Sequence, residues 1–257
     1  MADFVKTGKS VSFNGSSRLY KSGITMTKTK LFFRGIVDLT TTATGSRVPI
    51  DIKSDASDYG FAFMFYHADT YTNVQSYLYT STSNVSTAIS IPSRTASDTI
   101  GKMVLTAVWD GSTFAWFING VRVSVKDISG NMVLTSKGVA IGAIYGGWYY
   151  WIGLVDDVIL SFDNMPSDIT PTTDSYDEWW QNAENFCADH NFNPDHIWTF
   201  DDDSNIGKDT GSIGGWDLTN YGSPAQGDPL AGYHRVNPKA TVLEANLDNK
   251  ILKAEIT

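Results

Sequence analysis

An aromatic run interrupted by two glycines is the stretch of this sequence best suited to bind a ligand. Tyr145 precedes Gly146-Gly147, and Trp148, Tyr149 and Trp151 follow. Flat aromatic rings with a polar edge can stack on the faces of sugars when a turn presents them to solvent. Strand alternation would instead turn about half of such a run inward as core. We therefore take Tyr145, Trp148, Tyr149 and Trp151 as candidate ligand-binding residues, with a plain structural role as the alternative.

Two groups of acidic residues could ligate a hard cation. Asp156-Asp157 form one group, and Asp201, Asp203 and Asn205 form the other, with D-x-D-x-N spacing. Calcium takes six to eight oxygen ligands, mostly from carboxylates and carbonyls. Alternation places Asp156 and Asp157 on opposite faces, so one should accept backbone hydrogen bonds while the other is solvated or binds calcium. The glycine and closing glutamate of an EF-hand loop are missing, and ordinary solvated acidic loops are the alternative.

A transition-metal site is not indicated. Cys187, His190 and His196 lie close in sequence, but the spacing lacks a fourth ligand and fits no standard zinc pattern. An ordinary helix terminus accounts for these residues.

The composition is that of a globular chain with a polar surface. The 257 residues are 42% hydrophobic and 13% aromatic and carry a formal net charge of −9. No basic stretch could neutralise a run of phosphates, so nucleic-acid binding is not expected. No apolar run approaches the roughly 20 residues of a membrane span. The single Cys187 excludes an internal disulfide.

Short strands with turn signals between them predict an all-β protein. Val104 to Trp109, Thr113 to Ile118 and Val121 to Val125 are rich in β-branched and aromatic residues. Asp110-Gly111 and Asn119-Gly120 separate them, and such dipeptides favour hairpin turns. Further strands are predicted at 10–20, 30–39, 47–53, 59–66, 75–82, 85–91 and around the glycine tip. One short helix is predicted over 174–192, where apolar residues follow a helical period.

Three blocks in order resemble the laminin-G-like, concanavalin A-like jelly-roll family. They are VSFNGSSRLY, VLTAVWDGSTFAWFINGV and IGAIYGGWYYWIGLVDDVILS, which span roughly residues 10 to 168. The resemblance implies an antiparallel two-sheet jelly-roll sandwich over 1–168. Asn14 stands where the family usually has Asp, and Met103 where it usually has His. The fold hosts lectins, glycosidases, lyases, adhesins and structural modules, so it does not settle function.

The C-terminal region carries the block that usually opens such a domain. HIWTFDDDSNIGKDTGSIGGWDLTNY lies within 193–235, after the sandwich. Chain termini of sandwiches often lie close together, so this segment can complete its own sheet as in a circular permutation. The alternative is a strand swapped into a neighbouring subunit. The tail, 236–257, alternates weakly and is expected to pack on a partner or form an edge strand.

Catalysis is not expected. The family resemblance implies that glycosidases of this fold use a pair of carboxylates flanking the scissile bond, usually glutamates on one strand. The chain has four glutamates, Glu178, Glu184, Glu244 and Glu255, and none lies before residue 168. The residue set of jelly-roll polysaccharide lyases is not evident either.

The family resemblance and the composition together indicate a surface protein. Laminin-G-like domains usually work outside the cell, yet the N-terminus MADFVKTGKSV lacks the apolar core of a signal peptide. A phage or other virion protein meets both conditions, since it folds in the host and is released by lysis. We expect a non-enzymatic tail-fibre, tail or capsid-decorating adhesin, oligomeric with neighbouring virion or self subunits and binding host glycan. Alternatives are a purely structural assembly protein and a carbohydrate-active enzyme.

Overall fold

A computed structural model describes residues 4–6, 8–40, 43–52, 60–68, 71–92, 101–177, 180–230 and 232–234. The predicted tail over 236–257 lies outside the described residues. None of the described helices is long and apolar enough to cross a membrane.

The described secondary structure is almost entirely β. The strands are β1 (Phe4–Lys6), β2 (Ser10–Asn14), β3 (Arg18–Lys28), β4 (Leu31–Leu39), β5 (Gly45–Ile52), β6 (Phe61–His67), β7 (Tyr71–Tyr79), β8 (Asn84–Pro92), β9 (Gly101–Trp109), β10 (Thr113–Ile118), β11 (Val121–Asp127), β12 (Met132–Ile141), β13 (Ile152–Phe162), β14 (His196–Trp198), β15 (Thr219–Tyr221), β16 (Ala225–Gly227) and β17 (Gly232–His234). The helix α1 spans Ala183–Asp189. The prediction of an all-β protein with one short C-terminal helix is confirmed.

Two antiparallel sheets face each other across the main core. One sheet has the order β11-β10-β9-β4-β13-β2-β16, with β14 also paired to β13. The other has the order β15-β3-β12-β5-β6-β7-β8, and β1 pairs with β17 apart from both. Side chains from the inner faces of both sheets fill the space between them, with Trp109, Trp116, Trp151 and Trp198 among the largest that are fully buried. Phe61, Phe63 and Phe65 point inward together, as their alternation predicts.

The central meander forms as the turn residues indicate. Asn119 and Gly120 have φ values of 49° and 73°, the left-handed conformation that a tight hairpin turn requires. The first turn is longer, because the Asp110 carboxylate accepts the backbone amides of Ser112 and Thr113, each at 2.8 Å. These hydrogen bonds hold the pKa of Asp110 below its usual value against the effect of burial.

The helix covers a second apolar cluster on the outer face of the first sheet. Phe186 of α1 stacks on Phe32 of β4, with ring centroids 6.0 Å apart. The helix is shorter than the 174–192 predicted, because Asn182 caps it: its side chain accepts the amide of Asn185 at 3.0 Å. Ser175, within the predicted helix, is instead bridged to Val121 of β11.

The C-terminal segment pairs with both sheets within the chain. β14 lies against β13, β15 against β3 and β16 against β2, all antiparallel. Trp198, Phe200 and Leu218 of this segment are buried in the main core. Exchange of the segment between subunits stays a prediction that an oligomer measurement would test.

Candidate functional site

The loop between β12 and β13, residues 142–151, is fastened at many points and is called the tip loop below. Within it, the Ile144 amide donates to the Trp148 carbonyl at 3.0 Å and the Gly147 amide to the Ile144 carbonyl at 2.7 Å. Its base is tied to β5, since the Val48 amide donates to the Tyr149 carbonyl at 2.9 Å. The tip loop therefore presents its side chains from a rigid backbone, which lowers the entropic cost of binding.

The tip loop exposes two of the four predicted aromatic residues. Trp148 is 71% exposed and Tyr149 is 52% exposed. Tyr149 has a φ of 53°, a conformation uncommon for a bulky residue, which the surrounding hydrogen bonds hold. Tyr145 is half-buried, and its amide donates to the Asp51 carboxylate at 2.9 Å.

Trp151 is buried, which corrects its assignment as a ligand-binding residue. It has no exposed surface and packs against Phe65, with ring centroids 5.0 Å apart. Its indole Nε1 donates to the Leu154 carbonyl at 3.2 Å. The indole nitrogen is satisfied inside the protein, so Trp151 stabilises the base of the tip loop from the core.

Residues from two neighbouring strands extend the aromatic surface beside the tip loop. Tyr20 of β3 lies edge-on to Tyr145, with centroids 6.4 Å apart. The Arg18 guanidinium lies 5.2 Å from the Tyr20 ring centroid and 4.9 Å from that of Tyr221. Tyr221 of β15 is 50% exposed. We call the whole surface the tip patch; it comprises Arg18, Tyr20, Tyr145, Trp148, Tyr149 and Tyr221.

Sequence analysis missed the members of the tip patch that lie outside the loop. Tyr221 is 203 positions from Arg18, yet β15 pairs with β3 in a register that places the two directly opposite. The family's opening block, displaced to the C-terminal region, was the available signal, since a strand that completes the sheet brings its own side chains to the sheet edge.

Asp156 and Asp157 are both buried, so neither is solvated, and of the two roles expected for the second carboxylate only calcium binding stays a prediction. They are 1% and 3% exposed. The register of β13 against β4 shifts between Asp156 and Ile159, and Asp157 has a φ of 45°. This bulge breaks the alternation on which the expectation rested.

Each of these carboxylates holds an incoming backbone segment. Asp156 Oδ2 accepts the Leu230 amide at 2.8 Å, and Asp157 Oδ1 accepts the Ala183 amide at the start of α1 at 3.1 Å. Burial raises the pKa of Asp157 to about 7, although the Ala183 amide and the charge of Arg34 act to lower it. Arg34 is itself fully buried, 4.6 Å from the Phe186 ring centroid.

The carboxylates of Asp156 and Asp157 line an acidic pocket of about 410 Å³. Its other walls come from the segments around Gly8, α1 and the strand end at Thr199, and they include Asn182, Glu184, Asn185 and Asp201. The pocket brings together Asp201 and the Asp156-Asp157 pair, which the sequence presents as separate candidates.

The remaining candidate ligands are used elsewhere. Asp203 forms an ion pair with the Lys9 ammonium. The side-chain Nδ2 of Asn205 donates to the Asp217 carboxylate at 3.1 Å. Asp202, which sequence analysis passed over, organises this loop by accepting the amides of Ser204 and Asn205 at 2.8 and 3.1 Å. Asp201, Asp203 and Asn205 therefore do not converge as the D-x-D-x-N spacing suggests.

The acidic pocket does not fit a preformed metal centre. Among the described residues, no group of three or more His, Cys, Asp or Glu side chains is placed to hold a metal ion. His190 contacts Asp168 at 2.7 Å, and His196 contacts Asp209 at 2.7 Å. Each histidine thus has its own carboxylate partner, and calcium binding stays a prediction.

The His196-Asp209 pair is the centre of the C-terminal segment. Asp209 also accepts the amides of Ile197, Gly211 and Trp216 at 3.0–3.1 Å. Burial acts to raise the pKa of Asp209, but these donors outweigh it and hold the pKa below its usual value. The pair fastens the loop to β14.

Comparisons with known proteins add a fold. No family model matches the chain, and no curated protein sequence matches it either. A heptameric SAP-like pentraxin from Limulus polyphemus is similar in structure, with a TM-score of 0.50 and 13% identity over 86% of this chain and 95% of the pentraxin chain. The fold is that of the laminin-G-like, concanavalin A-like jelly rolls.

Two other solved structures match less closely. Domains LG4-5 of the mouse laminin α1 chain are 16% identical at a TM-score of 0.44, over 61% of this chain and 41% of that one. Tailspike protein 2 of the Escherichia coli O157:H7 bacteriophage CAB120 is 12% identical at 0.43, over 65% and 25%. The fold prediction is confirmed by the sheet topology and the pentraxin comparison, and these two weaker matches add no further argument.

Proposed function

We propose that this chain is a non-catalytic carbohydrate-binding domain that works on a virion or other extracellular surface and binds glycan through the tip patch. The supporting observation is a rigid loop that exposes Trp148 and Tyr149 beside Tyr221. Exposed large aromatic side chains are costly in water, and a ring face that remains open can bury against a sugar. The polar rings and backbone of the patch can orient hydroxyl groups.

A glycan array, read with and without calcium, tests this proposal. We expect binding to a defined set of glycans by the wild type, and loss of that binding in Trp148→Ala. Absence of binding under both conditions would favour the alternative of a purely structural assembly protein. The structural alternative would then predict that the C-terminal segment, not the tip patch, controls oligomerisation.

The virion setting is a further part of the proposal. Its support is the combination of a fold common on extracellular surfaces with a single cysteine, since secreted domains of small size often rely on disulfides. Virus particles can be immunogold-labelled with an antibody against this domain. We expect gold on the particle surface. Labelling confined to cell debris would contradict a virion location.

The acidic pocket favours hydrolysis as a second candidate function. Burial raises the pKa of the Asp157 carboxyl to about 7, which suits a general acid, and Asp201 lines the same cavity. Against it, Asp157 Oδ1 is occupied by the Ala183 amide. A reducing-sugar assay on the glycans that bind distinguishes the two: release of sugar that Asp157→Asn abolishes would establish hydrolysis.

A further inference from the structure

Arg18 is a cation held between two aromatic rings inside the tip patch. Its guanidinium carbon lies 5.2 Å from the Tyr20 ring centroid and 4.9 Å from that of Tyr221. Both distances are within the range of a cation–π interaction. The rings fix the guanidinium at the sheet edge and shield it from part of its water.

No acidic side chain neutralises Arg18 in the part of the chain that the structure describes. Its hydrogen bond is a long one, from Nη1 to the Ile144 carbonyl at 3.5 Å, and its buried Nε has no partner. Two other basic side chains are paired with carboxylates: half-buried Arg122 with Asp174, and exposed Lys208 with Asp202. Arg18 therefore keeps guanidinium donors that no described carboxylate uses.

The Arg18 guanidinium also lies next to the part of the tip loop that carries the exposed Trp148. A Cβ placed on Gly147 would lie 2.4 Å from Arg18 Nη1, so only glycine allows this approach. Gly147 has a φ of 82° and directly precedes Trp148. The tip loop thereby brings a cation and an exposed indole to adjacent positions on one surface.

We infer that the tip patch binds an acidic glycan, whose carboxylate pairs with Arg18 while a sugar ring stacks on Trp148. This inference rests on the proposed glycan-binding function. A planar carboxylate matches the fork of guanidinium N–H donors, and both the rings and a bound sugar would reduce the local dielectric. A sugar of the uronic acid or sialic acid type carries this negative charge, and its carboxylate supplies the partner that Arg18 lacks within the described part of the chain.

The test uses a glycan array that carries each acidic glycan beside the neutral glycan of the same backbone, with sulfated glycans as a separate arm. We expect the wild type to prefer the carboxylated member by roughly tenfold, the value of one charge-assisted pair. Raising the salt concentration should weaken that preference and leave binding of the neutral member unchanged. Stronger binding to the sulfated arm would overturn the assignment of a carboxylate.

Arg18→Gln is the decisive variant, with Arg122→Gln at the distant edge strand β11 as its control. We expect Arg18→Gln to lose the preference for the acidic member over the neutral one, and Arg122→Gln to keep the preference of the wild type. Equal wild-type binding of both members would overturn the inference and leave glycan binding intact. Loss of both by Arg18→Gln would mean that Arg18 only shapes the patch. If the wild type binds no glycan, the proposed function fails as well.

Discussion

Replacing Trp148 with alanine measures how much of the binding free energy the tip patch supplies. The side chain is 71% exposed. A tryptophan side chain presents roughly 250 Å² when free, so about 180 Å² is open here, and a sugar on one ring face covers roughly half of that. At about 25 cal/mol per Å², burying some 90 Å² contributes about 2 kcal/mol, or about a 30-fold change in Kd.

The assay is isothermal titration calorimetry with the glycan that binds best on the array. We expect Trp148→Ala to raise Kd about 30-fold with an unchanged melting temperature, since an exposed side chain contributes little to folding. Val125→Ala is the control. Val125 is also exposed, at 42%, but it lies on edge strand β11 of the other sheet. A Kd for Trp148→Ala within twofold of the wild type, or an equal loss in the control, would refute the reasoning.

Further predictions concern stability and the acidic pocket. The folded pKa of Asp157 is about 7, above the ordinary 3.8, so its contribution to stability is complete below pH 4 and is lost as the pH rises toward 7. Asp157→Asn should therefore flatten the pH dependence of the free energy of unfolding between pH 4 and 7 in urea titrations, and a slope equal to that of the wild type would contradict this. Asp209 has a lowered pKa, so its contribution to stability is present above pH 4 and is lost as the pH falls below that value. Asp209→Ala should lower the free energy of unfolding by about 3 kcal/mol, because the substitution leaves His196 and three backbone amides without their acceptor. A cost under 1 kcal/mol would show that the pair is dispensable. A chain ending at residue 170 loses the buried Trp198 and its neighbours and should aggregate in light scattering; a soluble, folded product of unchanged oligomeric state would refute both completion of the sheet and swapping. The calcium prediction made from the sequence requires that added calcium raise the melting temperature of the wild type and not that of Asp157→Asn, and identical curves in calcium and in EDTA would remove it.

The sequence alone determined most of the strands and the Asn119-Gly120 turn, because these depend on neighbours along the chain. Phe61, Phe63 and Phe65 alternate into the core as their spacing requires, and Asn119-Gly120 adopts the left-handed turn that its residue types favour. The three family blocks indicated the jelly-roll fold through the family resemblance, and the strand order came from the structure.

The tertiary structure decided which of the candidate residues can act. Trp148 and Trp151 are both tryptophans in the same loop, yet Trp148 is exposed and Trp151 lies in the core. The backbone hydrogen bonds of the loop, and not its composition, decide which way each side chain points. The bulge at Asp157 reversed a simple alternation, and the unforeseen cap at Asn182 shortened the helix. Arg18 became part of a candidate site only when β15 placed Tyr221 over it. Such pairings join residues far apart in sequence, and local periodicity holds no record of them.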